Sequence, residues 1–123
     1  MVDIEDFIDE FRNSQADYVE DGDECVRHLF RAGYCYYFAK ILQTAYPGGQ
    51  VCLAFPKKHF VYKYAGQAWD IEGQYTDEAW WIDEAAIPND VLKPFKHLSS
   101  NPNAYKDVDA WMEQMKAELK GLL

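Results

Sequence analysis

Cys35, His59 and Asp70 are residues of the three types that cooperate in thiol chemistry, and each stands at a change of local pattern. A free cysteine has a pKa of about 8.5, so only about a few per cent is thiolate at neutral pH and an effective nucleophile needs help. A histidine beside the thiol accepts its proton and later protonates a leaving group. A carboxylate on the far side of the ring fixes the histidine's tautomer and orientation. Residues so far apart in sequence can act together only if the chain between them folds to bring them to one place.

The elements around each residue favour that. Cys35 follows Gly33-Tyr34 and opens a run in which Phe38, Ala39, Leu42 and Tyr46 recur at helical spacing, until Pro47-Gly48-Gly49 forces a stop. The thiol falls in the first turn of this helix, where unpaired amides and the helix dipole favour a negative charge. From Val51 the period becomes two. Val51, Leu53 and Phe55 alternate with Cys52 and Ala54. Pro56-Lys57-Lys58 then turns the chain into His59-Phe60-Val61-Tyr62-Lys63-Tyr64, and Ala65-Gly66 turns it into Gln67-Ala68-Trp69-Asp70-Ile71. This predicts a three-stranded antiparallel meander. A two-residue loop at Ala65-Gly66 pairs Tyr64 with Gln67, sets Val61 opposite Asp70 and His59 opposite Glu72, and puts His59, Asp70 and Glu72 on one face. His59 and Asp70 are then diagonal neighbours; a three-residue loop would separate them.

The rest of the chain supplies packing. Ile4, Phe7, Ile8 and Phe11 form the stripe of an N-terminal helix from Asp3, its predicted N-cap, to about Asn13. Glu20 to Glu24 read as an acidic turn and Cys25 to Arg31 as a short helix. Glu78 to Asp83 read as a strand or ordered loop, Pro88 to Lys93 as one helical turn entered through proline, and Ser99 to Asn103 as a loop. A final helix from about Tyr105 to Lys120 gathers Val108, Trp111, Met112, Met115 and Leu119 on one face. The expected fold is one α+β domain over residues 1–123: N-terminal helices, a central helix carrying Cys35 packed on a small antiparallel sheet, and a C-terminal helix.

Composition narrows the function classes. The hydrophobic share of 49% and aromatic share of 16% are those of a packed globule. With 21 acidic and 12 basic residues the net charge is −9, which opposes direct binding to nucleic acid or anionic membranes and suits a soluble protein, a basic partner or an acidic decoy that imitates nucleic acid. No apolar run approaches the roughly eighteen residues needed to span a bilayer. Three cysteines at unequal spacing, without a C-x-x-C pair or an apolar leader, predict free thiols in a reducing cytoplasm, with Cys25 and Cys52 as core. Cys35, His59 and Asp70 are widely separated singletons, and neither His28 nor His97 forms a close ligand pair, so no metal or other cofactor is expected.

The run G-x-C-x-x-F-A-x-x-L at Gly33 to Leu42, H-F-V at His59 to Val61 and W-D-I-x-G at Trp69 to Gly73 resembles the papain-like superfamily in its compact bacterial forms. The nearest likeness is to transglutaminase-like and NlpC-type cysteine hydrolases, over roughly residues 26–75. The sequence also looks similar to small proteins of bacteria and their mobile elements that carry the same G-x-C and D-I-x-G features. The resemblance implies Cys35 as nucleophile, His59 as base and Asp70 as orienter. Papain itself carries a glutamine six residues before its cysteine as an oxyanion donor; that position here is Leu29. The Cys35 backbone amide supplies one donor on this reading, and His28, Tyr34 and Gln15 are the candidates for a second.

Two functions from different classes follow. The first is a hydrolase or acyl transferase acting on an amide or thioester, a peptide for instance, through Cys35, His59 and Asp70. The second is a non-catalytic acidic protein that uses the same fold to sequester a host or defence protein.

Overall fold

Asp3 starts the first helix as expected: its carboxylate accepts from the Asp6 backbone amide at 2.9 Å. In the computed structural model, which describes residues 2–16, 27, 30, 31 and 34–92, helix α1 spans Ile4–Ala16 and helix α2 spans Cys35–Ala45. Five strands follow, β1 (Gln50–Phe55), β2 (His59–Tyr64), β3 (Gln67–Asp70), β4 (Gly73–Tyr75) and β5 (Trp80–Asp83). A 3-10 turn (Glu84–Ala86) and a one-turn helix α3 (Asn89–Leu92) end the described chain. Arg27, Phe30 and Arg31 are helical. The acidic turn, Cys25, His28, Leu29, His97, the 99–103 loop and the helix expected from Tyr105 to Lys120 lie outside the described residues.

The fold is α+β, with helices packed on an antiparallel sheet of order β4-β3-β2-β1-β5. The sheet is larger than the three strands read from the sequence. Ile71-Glu72 makes a tight turn that sends the chain back as β4, pairing Asp70 with Gly73. The stretch left between strand and loop becomes β5, which returns to pair with β1 on the far edge. Both additions are three or four residues long, too short for an alternating pattern to distinguish them from turns.

The β2–β3 connection is the two-residue loop on which the site depends. Tyr64 pairs with Gln67 and Tyr62 with Trp69. Ala65 (φ 53°) and Gly66 (φ 79°) both take the left-handed conformation that matches the twist of the flanking strands. The connection from β1 to β2 passes a cis Phe55-Pro56 bond, then Lys57 and Lys58.

Helix α2 is buried nearly all round rather than along one stripe. Besides Cys35, Phe38, Ala39 and Leu42, the side chains of Tyr36, Tyr37, Ile41 and Ala45 are also buried. It packs on β1, β2 and β3, while α1 meets the sheet at β4. Val51, Leu53, Phe60, Tyr62, Trp69 and Ile71 join it in the main core, while Cys52, Val61 and Ala68 form a smaller cluster on the opposite face of the sheet. Fully burying apolar side chains of this size is worth about 1.5–3 kcal/mol each. The end of α2 is tied to the sheet through Tyr62, whose hydroxyl donates to the Tyr46 carbonyl and accepts from the Gly49 amide at 2.9 Å. Only glycine fits there: a Cβ on Gly49 would stand 2.2 Å from the Lys63 carbonyl oxygen.

Candidate functional site

His59 is the first residue of β2 and Asp70 the last of β3. The observed register places Asp70 one step beyond the Tyr62–Trp69 pair, opposite Val61, so the two side chains are diagonal neighbours as expected. By the pleat they share a face with Val61 and Ala68, the face turned away from α2. His59 Nε2 and Asp70 Oδ2 are 2.9 Å apart, and the two side chains are about nine-tenths buried. The other carboxylate oxygen, Oδ1, accepts from the Glu72 backbone amide at 2.8 Å. Asp70 is therefore held on both oxygens.

Cys35, at the opening of α2, lies within hydrogen-bonding reach of the same imidazole. Asp70 occupies Nε2. The three residues meet at the end of the sheet, where β2 begins and β3 ends, and not across its face. Burial opposes a charge on His59. The hydrogen bonds the ring gives to Asp70 and Cys35, with the electrostatic attraction of both, outweigh it and raise the pKa from 6.5 to about 9. The ring is thus an imidazolium at neutral pH. Tyr34, at the N-cap position of α2, makes no side-chain hydrogen bond to the first turn.

A cavity of about 400 Å³ leads to this cluster, with His59 and Asp70 in its wall beside Tyr75 and the Lys57–Asp77 ion pair at the rim. The Tyr75 ring lies 5.7 Å from the imidazole. The Cys35 thiol is not part of the cavity wall, and the residue is 2% exposed. Next to the cavity the exposed Trp80 ring stacks on Phe55 with centroids 4.9 Å apart. Tyr75 and Asp77 escaped the sequence reading because β4 and its exit loop were not resolved as elements there.

Other sequence candidates fall elsewhere. Glu72 was expected to share a face with His59, but the chain leaves β3 at Asp70; the Glu72 side chain pairs with Arg27 at 2.9 Å and faces Arg31 at 3.9 Å. Cys52 is buried in the second cluster as expected, and burial, with the nearby Asp83, pushes its thiol pKa up. Tyr34 is 8% exposed and packs edge-on against Phe30. Gln15 is completely buried, yet neither its amide nitrogen nor its amide oxygen has a hydrogen-bond partner among the described residues. An unsatisfied buried polar group costs about 1–3 kcal/mol.

Fold and site together define a small α+β protein in which a thiol at a helix start, an imidazole and a carboxylate converge at the end of an antiparallel sheet. The model of the Phage YunG-like protein family matches residues 7–117, and the chain belongs to that family. No curated protein and no solved structure matches it. No helix among the described residues is long and apolar enough to cross a membrane.

Proposed function

We propose that this protein is a thiol-dependent acyl transferase or hydrolase acting on an amide or thioester, with Cys35 as nucleophile, His59 as proton carrier and Asp70 as the group that holds His59. The observation that carries this reading is that one buried imidazole is held by Asp70 through Nε2 and interacts with Cys35 as well. The arrangement is similar to that of papain-like and transglutaminase-like cysteine hydrolases, in which a cysteine at a helix start meets a histidine at the head of a strand.

In the reaction, the Cys35 thiolate adds to the acyl carbon and the carbonyl electron pair moves onto oxygen. Collapse of this intermediate breaks the bond to the leaving group, which takes the proton from the His59 imidazolium. A thioester on Cys35 remains. Neutral His59 then takes a proton from water or another acceptor as that nucleophile attacks, and the Cys35 thiolate and His59 imidazolium are restored when the acyl group departs. Asp70 keeps the ring in the one orientation that serves both steps.

The test uses p-nitrophenyl acetate, an activated acyl donor small enough to enter a 400 Å³ cavity. One acetyl group per chain is expected on Cys35 by peptide mass analysis, with p-nitrophenol released in a burst, and neither is expected in Cys35→Ala. The burial of the thiol and the charge of −9 favour a second reading, an acidic binding protein that sequesters a protein partner. It forecasts the opposite result: no acetyl on Cys35 in the folded chain.

A further inference from the structure

We propose that the hollow between the end of β1 and the start of β5 is a docking site for an arginine side chain of a partner polypeptide, a role that stands apart from the acyl-transfer reading. The hollow encloses about 600 Å³. Phe55, Pro56, Trp80 and Trp81 form its apolar wall, and Asp77 and Glu78 its polar wall. Among the described residues no cationic side chain lines it.

Trp80 is the feature that packing leaves unexplained. It is 65% exposed, more than any other large hydrophobic side chain among the described residues. Its register partner on β1 is Phe55, and the two rings stack at 24° with centroids 4.9 Å apart. Phe55 thus covers and steadies one face of the indole and leaves the other to solvent. Trp81, which the pleat turns to the opposite side of β5, shows what such a face accepts: Lys63 Nζ stands 5.3 Å from its ring centre. Among the described residues the cations set over rings are those of Lys40, on Tyr36, and Lys63, on Trp81; none stands over Trp80.

The carboxylates of the hollow define what the open face would take. Asp77 is engaged by Lys57, whereas Glu78 is exposed and has no ion-pair partner among the described residues. The net charge of −9 draws positively charged partners to the surface as a whole. A guanidinium is flat and always charged; it stacks on an aromatic face while its N–H groups meet a carboxylate. It answers both walls at once, with its plane on Trp80 and its donors on Glu78. An ammonium is a compact point charge that satisfies the carboxylate but offers no plane to stack. Tryptophan and arginine are also the side chains that most often carry the binding energy where proteins meet. Asp77 lines both this hollow and the cavity that holds His59 and Asp70. A polypeptide with its arginine on Trp80 therefore has the mouth of that cavity within reach of its neighbouring residues.

The test titrates the native chain at low salt with the peptide Ac-Gly-Ala-Arg-Ala-Gly-amide and follows the N–H resonances of the folded protein. The Trp80 indole N–H and the backbone amides of Glu78 and Ala79 are expected to shift together along one saturating curve. Citrulline in place of arginine keeps the shape and removes the charge, and should weaken binding about tenfold. Lysine in its place should weaken it about threefold. Trp80→Leu keeps an apolar contact for Phe55 and removes the indole face; its affinity, read from the Glu78 and Ala79 amides, should fall about tenfold. Glu78→Gln, at an exposed position, leaves the fold intact and should cost about threefold. Equal binding of the citrulline or lysine peptide overturns the proposal, as does native affinity in either variant. Shifts that scatter over the acidic surface without reaching the Trp80 indole, or no saturable binding, overturn it as well. Cys35 takes no part in this measurement, so a chain that fails to acetylate loses the acyl-transfer reading and leaves this one standing.

Discussion

Replacing Asp70 by alanine is expected to slow acetylation of Cys35 about a thousandfold or more and to destabilise the protein by about 3 kcal/mol. Both effects come from the same two hydrogen bonds. Asp70 accepts from His59 on one oxygen and from the Glu72 amide on the other, and it is 7% exposed, so water cannot replace it cheaply. Without the carboxylate the imidazole loses the contact that fixes its orientation and its proton, and the Glu72 amide loses its acceptor at the tight turn into β4. Asp70→Asn separates the two roles, since an amide oxygen can still accept but carries no charge. It is expected to lose less stability than Asp70→Ala while still lowering the affinity of His59 for its proton. Acetylation kinetics and urea unfolding of the two variants check this; an Asp70→Ala protein that acetylates at the native rate would contradict the role given to Asp70.

The second large effect is a fall in stability on the alkaline side of neutrality. His59 titrates near 6.5 in an unfolded chain and at about 9 in the native one. Between these values the folded protein binds the proton and the unfolded chain has lost it, so stability decreases as pH rises. The contribution, on the order of 3 kcal/mol, is fully present below about pH 6.5 and gone once pH passes about 9. Urea midpoints measured from pH 6 to 10 should therefore decline through this window, and the decline should be much shallower in Asp70→Asn, which removes the largest of the interactions that raise the value. An equal slope in both proteins would place the titration on some other group.

The parts of this site that were legible in the sequence are those fixed by local rules. A two-residue loop at Ala65-Gly66 sets the parity of His59 and Asp70, and the loop forms because the turn residues can take left-handed angles. The helix start at Cys35 was readable from the stripe of Phe38, Ala39 and Leu42 and from the stop at Pro47. Helix α2 nonetheless proved buried well beyond that stripe, because its tyrosines at positions 36 and 37, which a stripe reading assigns to the outer surface, are covered in the tertiary fold. Tertiary placement was out of reach for the same kind of reason. Glu72 shares the parity of His59 only if β3 continues, and the chain turns one residue earlier to build β4. That the Gln15 amide is buried without a partner among the described residues is a result of tertiary packing, which no spacing within α1 encodes. His59 itself follows two lysines at a turn, a context that by itself describes a surface histidine; its burial comes from Asp70, Tyr75 and the start of α2.

The central claim is that Cys35 and His59 act as one coupled pair, and the most direct test is the rate of Cys35 alkylation by iodoacetamide across pH, in the native chain and in His59→Ala. The account predicts rapid alkylation of the folded native protein at pH 6 to 7 and a rate at least tenfold lower in His59→Ala over that range, the two converging at high pH where any thiol ionises. Identical profiles in the two proteins, or a Cys35 that reacts only after unfolding, would contradict it and leave the fold as a binding scaffold.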